Sequence, residues 1–357
     1  MKGLRSIITA TGSVLPEKII HNSDFIAHRF LQKDGTIVPG TVLRNIEKFK
    51  DITGINQRRY ARPDQTASDL ACIAAEDAIK SGAIDKESID LLIVAHNFGD
   101  VHAGTNRTTM VPSLASLVKY KLQINNPSCV AYDLVFGCPG WIQGVIQADA
   151  LIRVGDAKRC MIIGAETLSR VIDDHDRDSM IYADGAGAVI IEAATDSTVG
   201  IIAHGSRTYA SEHALLLRMD RTYNTDSDDT NLYIKMNGRA LYEFALTNVP
   251  LVIKETLDKA QVHLSEIKKV LIHQANEKMD IAILERLYKL YNTELTDLSV
   301  MPMTISYLGN SSVATIPTLL DLILKQQVED QHIEAGDKVV FASVGAGMNI
   351  NAIIYQF

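Results

Sequence analysis

A cysteine ahead of a helical pattern is the first residue whose setting points to chemistry. Cys138 stands in DLVFGCPGWIQGV, between a strand-like run ending at Phe136 and an apolar helical pattern over 140–154. A thiol at a helix N-terminus faces the positive end of the helix dipole and nearby backbone N–H groups, which lower its pKa and favour the nucleophilic thiolate. Gly137 and Gly140 permit a tight turn and close approach of a ligand, and Pro139 suits the first helical turn. Free cysteine is also a common small packing group, so the local sequence leaves both readings open. The other cysteines sit differently. Cys129 and Cys160 lie in strand-like runs and Cys72 in a helical one, and all three are expected to be structural. A nucleophile needs partners. His273, in LIHQAN, follows a buried apolar run, at the strand end where α/β proteins commonly place their sites. Asn310, in LGNSSVATIP, offers a neutral amide ahead of a second apolar helical pattern. Taken singly, His273 reads equally as a buried histidine and Asn310 as an ordinary helix cap.

An internal repeat supplies the elements that bring these residues together. Residues 76–96, EDAIKSGAIDKESIDLLIVAH, align without gaps on 254–274, KETLDKAQVHLSEIKKVLIHQ. The register pairs Ile84 with Val262, Ile89 with Ile267, and Leu92-Ile93-Val94 with Val270-Leu271-Ile272. Each copy reads as a helix, a short connection and a buried strand. Further on, Phe136-Gly137-Cys138 opens one helical pattern and Leu308-Gly309-Asn310 another. A glycine turn between apolar runs then recurs, Asp184 to Ile191 against Val344 to Gly347 with Ile350 to Ile354. The order is the same both times, so the chain is expected to hold two pseudo-symmetric α/β halves, 1–196 and 197–357, joined near 193–200. Short branched runs at Leu91–Ala95, Cys160–Gly164, Ala188–Ile191, Val270–Ile272 and Val339–Ala342 predict strands covered on both faces. The 140–154 pattern predicts a helix closed by Gly155. The polar segment 220–231 reads as a solvated loop, and its aspartates lack the His or Glu neighbours of a metal site.

Composition excludes several classes. The 357 residues allow about two domains or one fused unit, and hydrophobic residues at 46% supply a sizeable core. No apolar run approaches the roughly 18 residues of a membrane span. The first residues show no convincing leader, so a cytoplasmic protein is expected. With 35 basic against 43 acidic side chains the net charge is −8, which argues against a nucleic-acid partner. The cysteines lack the CxxC spacing of a zinc or redox site.

The motifs ITGINQRR, GCPG, DRDSMIYADGAGAVI, HQAN, LGNSSVATIP and SVGAGMN, in this order along nearly the whole chain, resemble the β-ketoacyl-acyl-carrier-protein synthase III branch of the thiolase-like condensing enzymes. The resemblance implies a five-layered αβαβα fold, with Cys138 as nucleophile and His273 and Asn310 as its catalytic partners. It implies an acyl thioester, on coenzyme A or an acyl-carrier protein, that acylates Cys138 and is then condensed with a malonyl-type carrier thioester by decarboxylation. The backbone N–H groups of Cys138 and Ala346 would hold the oxyanion. Ala346 stands where the family usually has glycine, and its methyl restricts the backbone angles. Arg177, Lys278 and Val111 are assigned to substrate or carrier binding. No metal and no permanently bound cofactor is implied. A homodimer is implied, each pocket taking residues from the partner subunit.

Relatives that make hydroxymethylglutaryl-CoA or join two long acyl chains use a glutamate base placed shortly before the nucleophile. No glutamate occurs from Ser88 to Ala165, which favours decarboxylative condensation, with Asp100 and His102 as the remaining candidates for a base. Lys48 and Ile52 stand where better-known members carry a tryptophan and an arginine that hold coenzyme A. Apparent insertions at 27–47 and 98–110 are expected to reshape the mouth or acyl pocket. Three other readings stand against this one. A papain-like hydrolase shares the Cys, His, Asn order but not the sequence setting. A non-catalytic partner subunit tends to lose the nucleophile. A synthase of secondary metabolism that joins or transfers acyl chains without decarboxylation is the serious rival.

Overall fold

The apolar runs read as buried strands assemble into two sheets. The computed structural model describes residues 4–195 and 197–357. Strands β1 (Arg5–Val14), β2 (Leu91–His96), β3 (Val130–Val135), β4 (Arg159–Thr167) and β5 (Asp184–Ala194) form the first sheet in the order β1-β5-β4-β2-β3. β2 runs parallel to β3 and β4, and β5 runs antiparallel to β4 and β1. The second sheet holds β6 (Gly200–Thr208), β7 (Ile267–Ile272), β8 (Lys338–Gly345) and β9 (Asn349–Gln356) in the order β6-β9-β8-β7. Here only β7 and β8 are parallel. The two orders correspond strand for strand, with one gap. Where β3 would recur, the chain ahead of Asn310 makes a short 3-10 turn at Leu298–Val300.

Six helices cover these sheets: α1 (Ala67–Ser81), α2 (Leu114–Lys121), α3 (Gly140–Val154), α4 (Gly238–Ala260), α5 (Glu277–Lys289) and α6 (Thr315–Leu324). The pleat decides which face each strand residue serves. Ile93 points inward, to a layer where Trp141 and Ile142 of α3 and Ile316 and Leu319 of α6 pack between the sheets with Phe341 and Ile353. Leu92 and Val94 point outward against Leu70 and Ala74 of α1. On the far side Val249 of α4 and Ile283 of α5 cover Val270, Ile272 and Val340. The layers are therefore αβαβα. Both copies of the repeat form the predicted helix, turn and strand, with a 3-10 turn in each connection, at Lys86–Ser88 and Leu264–Glu266. α3 covers 140–154 and ends at Gly155 in the left-handed conformation (φ 88°).

Some expectations need correction. The expected glycine turn at 184–191 is continuous strand β5. Its glycines are small for a different reason: a Cβ on Gly187 would lie 2.6 Å from the Thr318 nitrogen, so the bare strand lets α6 come close. The turn is real only in the second half, where Gly347 (φ 75°) lies between β8 and β9. Cys129 lies on a bend before β3 rather than in a strand, although it is buried. Segment 220–231 is a loop, but its start is anchored: Thr222 and the Tyr223 N–H donate to Asp173. β5 ends at Ala194 and β6 begins at Gly200, and the 196/197 boundary touches Asp196, outside the described residues. Among the described residues no helix is long and apolar enough to cross a membrane.

Candidate active site

Gly137 and Cys138 form the link between β3 and α3. Gly137 takes a positive φ of 79°, a turn that L side chains resist, and its carbonyl accepts from the Gly140 N–H at 2.8 Å. Pro139 is the cap of α3 rather than its first residue. The Gly345-Ala346 turn packs directly on this link: a Cβ on Gly137 would lie 2.9 Å from the Ala346 nitrogen, and one on Gly345 2.5 Å from the Cys138 nitrogen. The two backbone nitrogens assigned to the oxyanion thus come from turns in contact. Asn349 ties them, its Nδ2 donating to the Ala346 carbonyl at 2.8 Å and to Phe136 at 3.4 Å. Ala346 is free of left-handed strain, because the positive φ values fall on Gly347 and Met348. The Cys138 thiol does not show the expected lowering. Burial pushes it up to about 11, the Glu166 charge acts in the same direction, and a hydrogen bond from Ser312 opposes them. Loss of water outweighs that bond.

His273 follows β7 and donates its backbone N–H to Ala342 at 2.9 Å. Its ring is buried, with Nδ1 unpartnered among the described residues, and burial lowers its pKa to about 4. The imidazole is therefore neutral at physiological pH. Of the rest of HQAN, Ala275 and Asn276 lie on the cavity wall and Gln274 is buried behind it. Gln274 accepts from the Thr304 and Ile305 N–H groups and donates to the Pro302 carbonyl. Asn276 caps α5, accepting from the Met279 N–H. Asn310 bridges the halves: its N–H donates to Ile181 at 3.0 Å, and its carbonyl accepts from Ala183 at 2.8 Å. It lies five residues ahead of α6, farther than Cys138 lies from α3.

Cys138, His273, Asn310 and Ala346 all line one cavity of about 740 Å³. Apolar side chains, among them Phe98, Leu168, Ile181, Leu217, Met219 and Ile234, line much of the rest. Arg177 lines it too, 3.5 Å from Asp178. Lys278 is exposed on α5 and does not line the cavity. Val111 is 86% exposed and also lies outside it, so neither joins the pocket of its own chain. Ile52 lines the cavity, and Lys48 is exposed and does not. No residue of 27–47 lines it, and of 98–110 only Phe98 does. Asp100 accepts from the Ser68 N–H and hydroxyl, and His102 is exposed, so neither faces the cavity as a base.

Sequence reasoning missed five polar residues, one of them Arg218, which lines the cavity 2.7 Å from Asp220. Ser312 donates to the Cys138 sulfur at 3.2 Å, and Asn97 donates to the Ser312 hydroxyl at 2.9 Å. Glu166, one residue past the window searched for a glutamate, is 1% exposed and accepts from both the N–H and the side-chain amide of Asn97. Burial pushes its pKa up to about 7, with His96 and the Asn97 bonds opposing. Arg239, 91% exposed and paired with Glu243, stands where the cavity meets solvent. Only Ser312 left a signal, through its place beside Asn310.

Comparison with known proteins shows the family. Residues 132–209 match the family of 3-oxoacyl-[acyl-carrier-protein (ACP)] synthase III, and 257–357 match its C-terminal family. The chain is 32% identical over 357 residues to the beta-ketoacyl-[acyl-carrier-protein] synthase III of Erythrobacter litoralis, covering 99% of this chain and 100% of the relative. The crystal structure of the 3-oxoacyl-[acyl-carrier-protein] synthase III of Aquifex aeolicus matches with a TM-score of 0.79 at 28% identity, over 99% of this chain and 100% of that one. The corresponding Thermus thermophilus enzyme matches with a TM-score of 0.80 at 28% identity, over 98% of each chain. The chain belongs to the β-ketoacyl-acyl-carrier-protein synthase III family of condensing acyltransferases, with the thiolase-like fold.

Proposed function

We propose that this condensing enzyme carries an acyl group on Cys138 and joins it to a malonyl-type carrier thioester with loss of CO₂. In the first half-reaction the Cys138 sulfur attacks the thioester carbonyl. The C–S bond to the carrier breaks, and the proton lost by Cys138 ends on the departing carrier thiol. The Cys138 and Ala346 N–H groups stabilise the oxyanion, a role in which one donor is worth roughly 2.7–4 kcal/mol. In the second half-reaction the malonyl carboxylate leaves as CO₂, and the electron pair passes to an enolate. The enolate carbon attacks the acyl carbonyl and expels the Cys138 thiolate, which takes a proton from solvent. The enolate oxygen needs neutral donors, and a neutral His273 ring with the Asn310 amide supplies them.

The single observation that carries this reading is the convergence of Cys138, His273 and Asn310 on one largely apolar cavity. Its apolar lining suits an acyl chain. Its arginines, Arg177, Arg218 and Arg239, lie beside Asp178, Asp220 and Glu243, and would meet an anionic thioester or an acidic carrier by exchanging those partners, a local attraction set against the net charge of −8. Coenzyme A and acyl-carrier protein both present that chemistry. A second copy of the chain completes the proposal. β3 is an edge strand with Val130 and Val135 exposed, suited to pairing between copies, and Val111 would then serve the partner's cavity.

Intact-mass analysis with a panel of acyl-CoA and acyl-carrier donors, followed by malonyl-carrier, tests the reading. Wild-type protein gains one acyl group, then releases CO₂ and a product two carbons longer. Acyl adducts that persist in Cys138→Ala remove the nucleophile. An acylated Cys138 that never yields CO₂ turns the assignment to a synthase that joins acyl chains without decarboxylation. His273→Ala and Asn310→Ala retain acylation and slow condensation.

A further inference from the structure

Cys138 is partly buried in the cavity wall, and loss of water around its thiol raises the pKa to about 11, so the thiol keeps its proton in the resting protein. Attack on a thioester therefore needs a group that stabilises negative charge on sulfur. His273 makes no hydrogen bond to that sulfur. Among the described residues the one side-chain donor to it is the Ser312 hydroxyl, at 3.2 Å. A hydroxyl has a single proton to give. Its direction here is fixed from behind, because the Ser312 oxygen accepts from the Asn97 side-chain amide at 2.9 Å and so turns its own hydrogen toward Cys138.

Asn97 is oriented from behind in its turn. An Asn amide can be placed either way round, and its neighbours choose. Glu166 is enclosed, accepts from the Asn97 N–H at 2.6 Å, and accepts from the Asn97 amide nitrogen as well. The Asn97 backbone N–H fixes this Glu166 oxygen, Oε1, as an acceptor, so it faces the NH₂ end of Asn97 in either protonation state, and that NH₂ is held toward Ser312. Ser312 itself sits at φ 53°, a left-handed conformation that non-glycine residues adopt rarely. That conformation gives the residue two directions of contact at once. The hydroxyl meets Cys138, while the backbone N–H donates to the Asn310 Oδ1 at 2.7 Å and leaves the Asn310 NH₂ for other partners.

We propose that Ser312 is a further catalytic residue, whose hydroxyl stabilises the Cys138 thiolate both when it attacks and when it departs, with Asn97 and Glu166 as positioning residues that aim it. The inference rests on Cys138 being the nucleophile. It also assigns one residue to both half-reactions, by hydroxyl to the thiol and by backbone to the Asn310 amide.

The test is the pH dependence of Cys138 alkylation by iodoacetamide, read by intact mass, beside single-turnover acylation by an acyl-CoA. Hydrogen bonds to charged groups are worth about 1.5–3 kcal/mol, so Ser312→Ala is expected to slow acylation by roughly tenfold to a hundredfold. The same variant moves the alkylation profile to higher pH. Asn97→Ala shifts the profile in the same direction by less, and it stands in for Ser312→Ala should that variant fail to fold. A wild-type alkylation profile in the folded Ser312→Ala or Asn97→Ala variant overturns the proposal. Acyl transfer to a residue other than Cys138 sinks the functional reading instead, and that failure is visible separately in Cys138→Ala.

Discussion

Gln274 accepts a hydrogen bond from the Thr304 N–H at 2.9 Å, and that bond joins the strand bearing His273 to the segment bearing Asn310. The same oxygen accepts from the Ile305 N–H, and the side chain is wholly buried. Gln274→Ala would leave two buried N–H groups unpaired, at about 1–3 kcal/mol each. The variant is expected to lose stability of that order by urea unfolding. Because the displaced segment carries Asn310, condensation should fall more steeply than acylation. Equal loss of both half-reactions would contradict this separation.

Much of this architecture is legible in the chain because burial leaves a periodic trace. Leu92, Ile93 and Val94 face opposite layers yet are all apolar, which marks a strand covered on both sides, and the gapless match to Val270-Leu271-Ile272 discloses the second half. His273 and Asn310 are readable for the same reason, since His273 follows a patterned strand and Asn310 precedes a patterned helix. Gly187 misleads, because close approach by α6 and a turn both call for glycine. Glu166 and Asn97 leave no trace. Asn97 meets both Glu166 and Ser312 across long stretches of chain, and nothing in the neighbourhood of any of them encodes those meetings.

Lys235 is buried between the cavity-lining residues Ile234 and Met236. Its ammonium lies 2.5 Å from Asp173 and 3.0 Å from Asp176, over the Tyr223 ring at 3.4 Å. Asp173 in turn holds the start of loop 220–231, and Asp176 caps the turn that begins at Arg177. Lys235→Met leaves two buried carboxylates without their cation, and removal of one partner of such a pair costs about 3–5 kcal/mol. Urea midpoints should fall accordingly. With the Arg177 turn loosened, the KM for acyl thioester should rise; an unchanged KM in folded variant would separate this cluster from the pocket.

The low pKa of His273 makes a signed prediction. Burial holds the folded-state value at about 4, below the usual 6.5, so between these values the unfolded chain binds the additional proton. Stability attributable to this ring is present above pH 6.5 and is lost as pH falls toward 4, by roughly 3 kcal/mol for a shift of that size. Glu166, raised to about 7, acts oppositely between its ordinary carboxylate range and pH 7. Comparing wild type with His273→Gln cancels the Glu166 contribution. The variant should gain stability relative to wild type as pH falls from 7.5 to 4.5. A difference independent of pH would mean that the buried ring titrates normally.

The edge strand β3 carries the prediction about assembly. β2 occupies one side of β3, and its other side has no strand among the described residues, with Val130 and Val135 more than half exposed. An uncovered edge of this kind invites pairing, and a twofold axis lets the same strand of two copies satisfy each other. Lysine is a common means of blunting such an edge, because paired copies would bring like charges together. Val130→Lys lies outside the cavity lining, so the pocket of each chain keeps its own residues. Sedimentation velocity at micromolar concentration should show a dimer for wild type and a monomer for Val130→Lys. If Val111 completes the partner's cavity, the monomer should also lose acylation while its urea midpoint changes less than that of Lys235→Met. A wild-type monomer would overturn the assembly, and a Val130→Lys dimer would place the interface elsewhere. A monomeric variant with full acylation would confine each pocket to a single chain and leave Val111 without a part in it.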